Sequence, residues 1–247
     1  MQFAQVSIVG VFEGYEQSKS QPGMYYVYLA PAVTPPKDLL KTIRCQRKFG
    51  QPLQGQQKLG TIAILTHPDK LPSLPIGTRV LATASYWPVS RPVWSDRDSA
   101  IVTERRTRAV FLLESEIKKT ELAAKPITAR ISGTFQTARK SGDKTAEAHI
   151  GTEEQPPEGV LREVSVQKGK FGFVTAREVL GMQQLSALLT QLPDVKPGTP
   201  VTVDATLWPI REPYYSQKTD KVEHETVPTA VFIATGNLVP EKVKAGA

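Results

Sequence analysis

Between residues 200 and 208 hydrophobic and polar side chains alternate. Val201, Val203, Ala205 and Leu207 project to one side and Thr202, Asp204, Thr206 and Trp208 to the other, the period of two that marks a strand with one buried and one wet face. The same pattern, broken once at Leu81, sets Val80, Ala82, Ala84 and Tyr86 against Arg79, Thr83, Ser85 and Trp87. Trp87 and Trp208 therefore fall on the wet side. Each is followed by proline, which cannot donate to a ladder, so both strands are predicted to stop there. A long loop carrying proline, serine and charge is expected next, before a strand resumes at residues 108–112 and 229–233.

These two patterns belong to a repeat. Residues 59–117 align with residues 180–238 at a constant offset of 121, with 16 identities in 59 positions and no gap. Trp87-Pro88 matches Trp208-Pro209, Gly77-Thr78 matches Gly198-Thr199, and Ala109-Val110-Phe111 matches Ala230-Val231-Phe232. Rare residues held in one register indicate a duplicated domain. The duplication extends towards the N-terminus, where Val9-Gly10-Val11-Phe12 and Ser132-Gly133-Thr134-Phe135 open the halves as strands. Their shared Gly-x-Phe predicts a bend or bulge. Second strands are expected over 24–29 and 146–150, and third strands over 42–47 and 162–167. In the second copy Leu185, Leu188, Leu189 and Leu192 stand at i, i+3, i+4 and i+7, which predicts a helix over 176–192 stopped by Pro193. Each half thus reads β-β-β-(α)-β-β. That is the order of an OB-fold, a five-stranded barrel with a helix between strands three and four. The expected organisation is all-β: one OB-fold barrel over 1–117, a linker over 118–126, a second barrel over 127–240 and a short tail over 241–247. An unrelated duplicated sandwich or barrel is the alternative.

Composition leaves this picture in place and narrows the partners. The chain has 247 residues and one cysteine, Cys45, so no intrachain disulfide can form, as suits a reducing compartment. No apolar run reaches the length of a membrane span, and the expected location is the cytoplasm. Net charge is +7, of which the residues up to Ala124 carry +6. A basic balance favours a polyanionic partner or simply keeps the protein soluble. Catalysis finds no constellation. His67, His149 and His224 are scattered, Cys45 stands alone, and no phosphate-cradling Gly-Lys-Ser/Thr loop occurs. No enzyme activity, metal or cofactor is expected.

The fourth and fifth strands carry a resemblance. Lys196-Pro197-Gly198-Thr199-Pro200-Val201-Thr202-Val203 through Trp208, followed by a basic and aromatic loop and a closing strand over 227–238, is similar to the bacterial single-stranded DNA-binding proteins. The resemblance covers both halves in outline. It implies OB-fold cores that bind single strands and an assembly of four such folds, which a chain with two would reach as a homodimer. Those proteins typically end in an acidic tail that recruits partners, whereas this chain ends in residues 241–247 with two lysines and one glutamate. Lys170-Phe171-Gly172-Phe173-Val174 is also similar to the RNA-binding word of cold-shock domains, with an extra lysine after Gly169.

Binding a single strand without reading its sequence needs aromatic faces for bases and cations for phosphates. The segments after the repeated tryptophans supply both: Trp87, Arg91, Trp94 and Arg97 in one copy, Trp208, Arg211, Tyr214, Tyr215, Lys218 and Lys221 in the other. Trp87 and Trp208 serve either as stacking platforms or as barrel caps and packing residues. The expected third strands add Arg44, Arg47, Lys48 and Phe49, with Lys168, Lys170, Phe171 and Phe173 opposite them in the repeat; the two later phenylalanines are stackers or core. Arg105, Arg106 and Arg108, with Lys118 and Lys119, give the first half a basic edge. The function expected is sequence-nonspecific binding of single-stranded DNA in replication or recombination. The alternatives are an RNA-binding OB protein and a non-enzymatic subunit of a replication or phage assembly that docks through its aromatic loops.

Overall fold

The computed structural model describes residues 4–47, 49–152, 154–170, 172–192 and 194–241, with Arg105 and Arg106 described for the backbone alone. Lys48, Phe171, Pro193, the side chains of Arg105 and Arg106, and residues 242–247 lie outside the described residues. The regular secondary structure of the described residues is nearly all strand. The first half contains β1 (Ala4–Gln17), β2 (Tyr25–Pro31), β3 (Thr42–Cys45), β4 (Leu53–Gln56), β5 (Lys58–Leu59), β6 (Ile62–Thr66), β7 (Arg79–Ser95), β8 (Ala100–Leu113) and β9 (Lys118–Lys119). The second contains β10 (Ile127–Lys140), β11 (Thr145–Gly151), β12 (Glu163–Lys168), β13 (Gly172–Arg177), β14 (Val179–Leu180), β15 (Gln183–Leu188), β16 (Pro200–Arg211), β17 (Pro213–Ser216), β18 (Lys221–His224), β19 (Thr229–Ala234) and β20 (Val239–Pro240).

Strand pairing in each half closes a circuit. β1 pairs antiparallel with β2, β2 with β6, and β6 runs parallel to β8; β8 returns antiparallel to β7, and β7 to β1. The second half repeats this with β10, β11, β15, β19 and β16. Even the irregularities match, since the register shifts between Phe12 and Gly14 and again between Phe135 and Thr137. The expected bend is there, just past the glycine of each Gly-x-Phe. The glycine itself is needed for closeness: a Cβ on Gly10 would stand 2.7 Å from the Ala30 carbonyl oxygen. Val6, Ile8, Val27, Leu29, Ile64, Val80, Ala82 and Ala84 fill the first circuit, and Ile131, Ala148, Ile150, Leu185, Val201, Val203, Ala205 and Leu207 the second.

The halves join about a pseudo-two-fold axis. β1 pairs antiparallel with β10, and the residues facing each other at its centre, Val6 and Ala129, occupy equivalent positions in the two halves. Each half also lends a short strand to the other. β5 adds to β16, with Leu59 opposite Ile210, and β14 adds to β7, with Leu180 opposite Val89. Gly60 N donates to Pro209 O and Gly181 N to Pro88 O, both at 2.8 Å.

That exchange corrects several expectations. β7 runs through Trp87-Pro88 and on to Ser95, paired with β8 almost throughout, and no long loop follows. Proline lacks a donor, but its carbonyl still accepts, and here the visiting glycine N–H supplies the bond. Trp87 and Trp208 are not on a wet face; they are 4% and 3% exposed. Every residue from 84 to 90 is buried, and β12, β13 and β14 of the opposite half pack against β7. Nor does a helix form over 176–192. The segment holds β14, β15 and one 3-10 turn, Leu189–Gln191. In β15 Gln183, Leu185 and Ala187 are buried and their alternates exposed, so period two wins and Leu188 faces outward. The expected third strands exist, but β3 pairs only with β4 and β12 only with β13. They are projecting hairpins, and the third strand of each circuit is β6 or β15. The start of the expected linker is also a strand, with Lys118 and Lys119 paired to Leu81 and Val80.

Two outcomes follow for stability. Trp87→Ala and Trp208→Ala should each cost about 3–5 kcal/mol of folding free energy, read by denaturant unfolding, because each empties a buried site. A Cβ on Gly181 would lie 2.3 Å from both Ser90 Oγ and Thr107 Cγ2, so Gly181→Ala should displace β14 and destabilise by about 1–3 kcal/mol.

Candidate nucleic-acid interface

The side chains singled out in the sequence divide into three groups. The first is spent on holding the halves together. Arg47, two residues past β3, lies with its guanidinium 5.2 Å from the centre of the Tyr215 ring and 2.8 Å from Asp220. Tyr215 donates to the same Asp220 at 2.5 Å. At the equivalent place Lys168 Nζ sits 4.6 Å over the Trp94 ring. Both cations come from a hairpin of one half and both aromatics from the other half, at matching positions of the repeat. Trp94 and Tyr215 are thus half-buried under a cation rather than open to solvent. Around Arg47 the hairpin is further fixed by Cys45 Sγ, which donates to Pro213 O at 3.5 Å, and by the bond between His224 and Gln56 O. Tyr215 and Arg47 together hold the Asp220 carboxyl below its ordinary range.

The second group is exposed but dispersed. Phe49 is 81% and Phe173 67% exposed, which settles against a core role for Phe173. Arg44, Lys170, Arg97, Lys218 and Lys221 are exposed on hairpins or their tips. Tyr214 is exposed and donates to Glu223 at 3.0 Å.

The third group converges. Arg108 and Arg211 line a cavity of about 520 Å3 on the outer side of β2, β6 and β8, together with Tyr26, Tyr28 and Arg162. Alternation along β2 explains the aromatics: Val27 and Leu29 turn into the core, leaving Tyr26 and Tyr28 half-buried on the outside. Tyr28 donates to Glu16, and burial plus that carboxylate push its hydroxyl far above the usual range. Arg211 Nε is buried with no hydrogen-bond partner among the described residues. The guanidiniums of Arg108, Arg162 and Arg211 thus stand with Glu16 around the wall of this groove. A second cavity of about 590 Å3 adjoins it, shares Arg108 and Arg162, and includes Arg91, but Glu104, Glu163 and Glu225 line it as well.

Arg108 and Arg162 meet on Glu178, which is 2% exposed. Arg108 Nη2 lies 3.1 Å from both carboxylate oxygens; Arg162 reaches them with Nη2 at 2.9 Å, Nε at 3.2 Å and its backbone N–H at 3.1 Å. Burial pushes the Glu178 carboxyl up, but the bonds from Arg162 and the charge of Arg108 outweigh it and hold the group below its ordinary range. Burial and the adjacent Arg162 pull Arg108 down, whereas Glu178 raises Arg162. Arg108 is thus a member of an ionic triad around a buried carboxylate and not only part of a basic edge.

Sequence reasoning missed Tyr26, Tyr28, Arg162 and Glu178. The tyrosines were legible as alternates of Val27 and Leu29. The triad was not, because its members are distant in sequence and come from both halves. The equivalent groove of the second half, about 940 Å3, has Glu147 and His149 where the first has Tyr26 and Tyr28, and these two pair at 3.0 Å. Among the described residues no three of His, Cys, Asp and Glu converge to hold a metal, and no helix is long and apolar enough to cross a membrane. No protein-family model matches the chain, and no curated protein matches it.

The lowered Glu178 carboxyl gives a pH dependence with a definite sign. Its contribution is present above the ordinary carboxylate range and is lost as pH falls through the depressed folded value. Thermal melting of the wild type should therefore fall more steeply below about pH 4.3, the ordinary glutamate value, than that of Glu178→Gln.

Proposed function

We propose that each five-strand circuit is an OB-fold barrel and that the protein binds single-stranded DNA with little sequence preference, covering it during replication or recombination. The observation that carries this reading is the first-half groove: Tyr26 and Tyr28 beside Arg108, Arg162 and Arg211. In an OB-fold the face of strands two and three is a usual oligonucleotide contact, and β2 and β6 are those strands in the proposed assignment. Every base has a π-face, so aromatic stacking tolerates any sequence, while guanidiniums engage the phosphates. The likeness of residues 196–208 and 227–238 to the bacterial single-stranded DNA-binding proteins supports the same reading. So does the concentration of +6 of the +7 net charge in the first half.

The stacking surface differs from the one the repeat suggests. Trp87 and Trp208 are barrel and interface packing; the platforms are Tyr26 and Tyr28. Arg91 and Arg211 extend the cationic rim, and the exposed hairpin residues Phe49, Lys170 and Phe173 are outlying contacts for a strand that leaves the groove. Two barrels per chain about a pseudo-two-fold axis match the arrangement a dimer of single barrels would give, and the protein is proposed to reach four barrels as a homodimer.

Labelled oligo-dT should bind, oligo-U should bind more weakly, and a duplex of the same sequence should not compete. Tyr26→Ala and Tyr28→Ala should each weaken oligo-dT binding by about 1–3 kcal/mol, measured by fluorescence anisotropy. Arg211→Gln should reduce the slope of log K against log salt by about 0.7 for one lost phosphate contact. Tight binding that Tyr26→Ala, Tyr28→Ala and Arg211→Gln all leave untouched would place the single strand elsewhere.

A further inference from the structure

The pseudo-two-fold axis provides an internal control for the triad. At the offset of 121, Glu178 corresponds to Gln57, Arg162 to Lys41 and Arg108 to Thr229. The backbone arrangement is the same at both places. Gln57 N donates to Lys41 O and Glu178 N to Arg162 O, each at 2.9 Å. In return Lys41 N donates to Gln57 Oε1 at 2.8 Å and Arg162 N to Glu178 Oε2 at 3.1 Å. A neutral amide therefore does everything the fold asks at this position. The ionised carboxylate and its two guanidiniums go beyond what the fold needs, and a buried charge is costly unless paired.

The excess has a direction. One carboxylate holds two guanidiniums, so the cluster keeps one net positive charge, and both arginine side chains stay partly exposed, at 34% and 22%. Both line the tyrosine groove together with Tyr26. Arg108 comes from β8 of the first half and Arg162 from the approach to β12 of the second, so the pair bridges the halves. On the other side of the pair the lining turns acidic, with Glu104, Glu163 and Glu225, which leaves the tyrosine side as the one favourable to an anion.

We infer that Arg108 and Arg162, held in place by Glu178, form a clamp for one phosphodiester group at the junction of the halves, beside a base stacked on Tyr26. Glu178 is a positioning residue: it sets the two guanidiniums next to each other against their mutual repulsion. The inference rests on the single-strand reading for the identity of its ligand, since the chemistry it recognises is a phosphate oxygen.

Glu178→Gln separates the clamp from simple electrostatics, because the two move affinity in opposite directions. The substitution reproduces the residue that Gln57 already is, and melting confirms the fold. It also raises net charge by one. If charge alone attracts the strand, oligo-dT binds this variant more tightly; if Glu178 positions a clamp, binding weakens by about tenfold, as for one lost charge-assisted contact. Arg108→Gln and Arg162→Gln should each lower the salt slope by about 0.7. Equal or tighter binding of oligo-dT by Glu178→Gln overturns the clamp. Should the wild type not bind oligo-dT at all, the function proposed above fails. The clamp is then decided by thermal melting with inorganic pyrophosphate, which should raise the melting temperature of the wild type and not of Glu178→Gln; no shift in the wild type overturns the clamp.

Discussion

Main-chain pairing across the pseudo-two-fold axis is the constraint on which the rest of the molecule depends. Two circuits of five strands could exist side by side on a flexible tether. Here β1 and β10 pair directly, and β5 and β14 are donated across the junction. Backbone hydrogen bonds fix both distance and register, and register decides which side chains are buried. The burial of Trp87 and Trp208, the passage of β7 through Pro88 and the meeting of Arg108 with Arg162 all follow from this docking. So does the contact of Tyr86 with Phe232 of the other half, at 4.8 Å. The close approach also explains why Gly60 and Gly181 are glycines, since a Cβ at either would meet side-chain atoms at 2.9 Å or less.

Much of the fold was legible because the duplication preserved register. An ungapped offset of 121 carries each strand from β3 onward onto its counterpart or counterparts, and the alternation in residues 79–86 and 200–208 located β7 and β16. The tertiary partner of a strand's second face is invisible to periodicity. Alternation at Trp208 reports that two faces differ in polarity near the strand's start, and says nothing of what covers the face near its end. The predicted helix failed for a related reason. Leu185, Leu188, Leu189 and Leu192 satisfy a helical stripe, yet Leu185 alone sits in the core, while Gln183 and Ala187 share its face at period two. Short apolar runs fit both periods, and here the vacancy between β11 and β19 is filled by a strand.

The candidate site was less legible than the fold. Basic and aromatic residues in the segments after the tryptophans were visible, but their use was not. Arg47 on Tyr215 and Lys168 on Trp94 show how the same composition that suits a nucleic acid also suits two halves locking each other's hairpins. A cation over an aromatic face contributes roughly 0.5–1 kcal/mol at an exposed site, enough to orient a hairpin and small enough to leave the ring open to exchange. The groove, by contrast, is assembled from Tyr26 and Tyr28 on one strand and arginines from positions 108, 162 and 211. Such a set is recognisable only once strand order is known.

Two halves within one chain are free of a restriction that two identical subunits obey. A two-fold axis presents equivalent grooves in opposite senses, whereas a single nucleic-acid strand has a direction and cannot run straight through both in the same way. In a homodimer both grooves must nonetheless carry the same side chains. Within one chain they can diverge, and they have: Tyr26 and Tyr28 stand against Glu147 and His149, and Arg108 against Thr229. The backbone frame tolerates this because it is satisfied by features common to both, such as the bond that Gln57 and Glu178 each accept from the residue facing them. Divergence of side chains pointing outward from a shared frame places Tyr26, Tyr28, Arg108 and Arg211 on one groove. Under the proposed function, polarity of binding would then be set by chemistry rather than by the fold's symmetry.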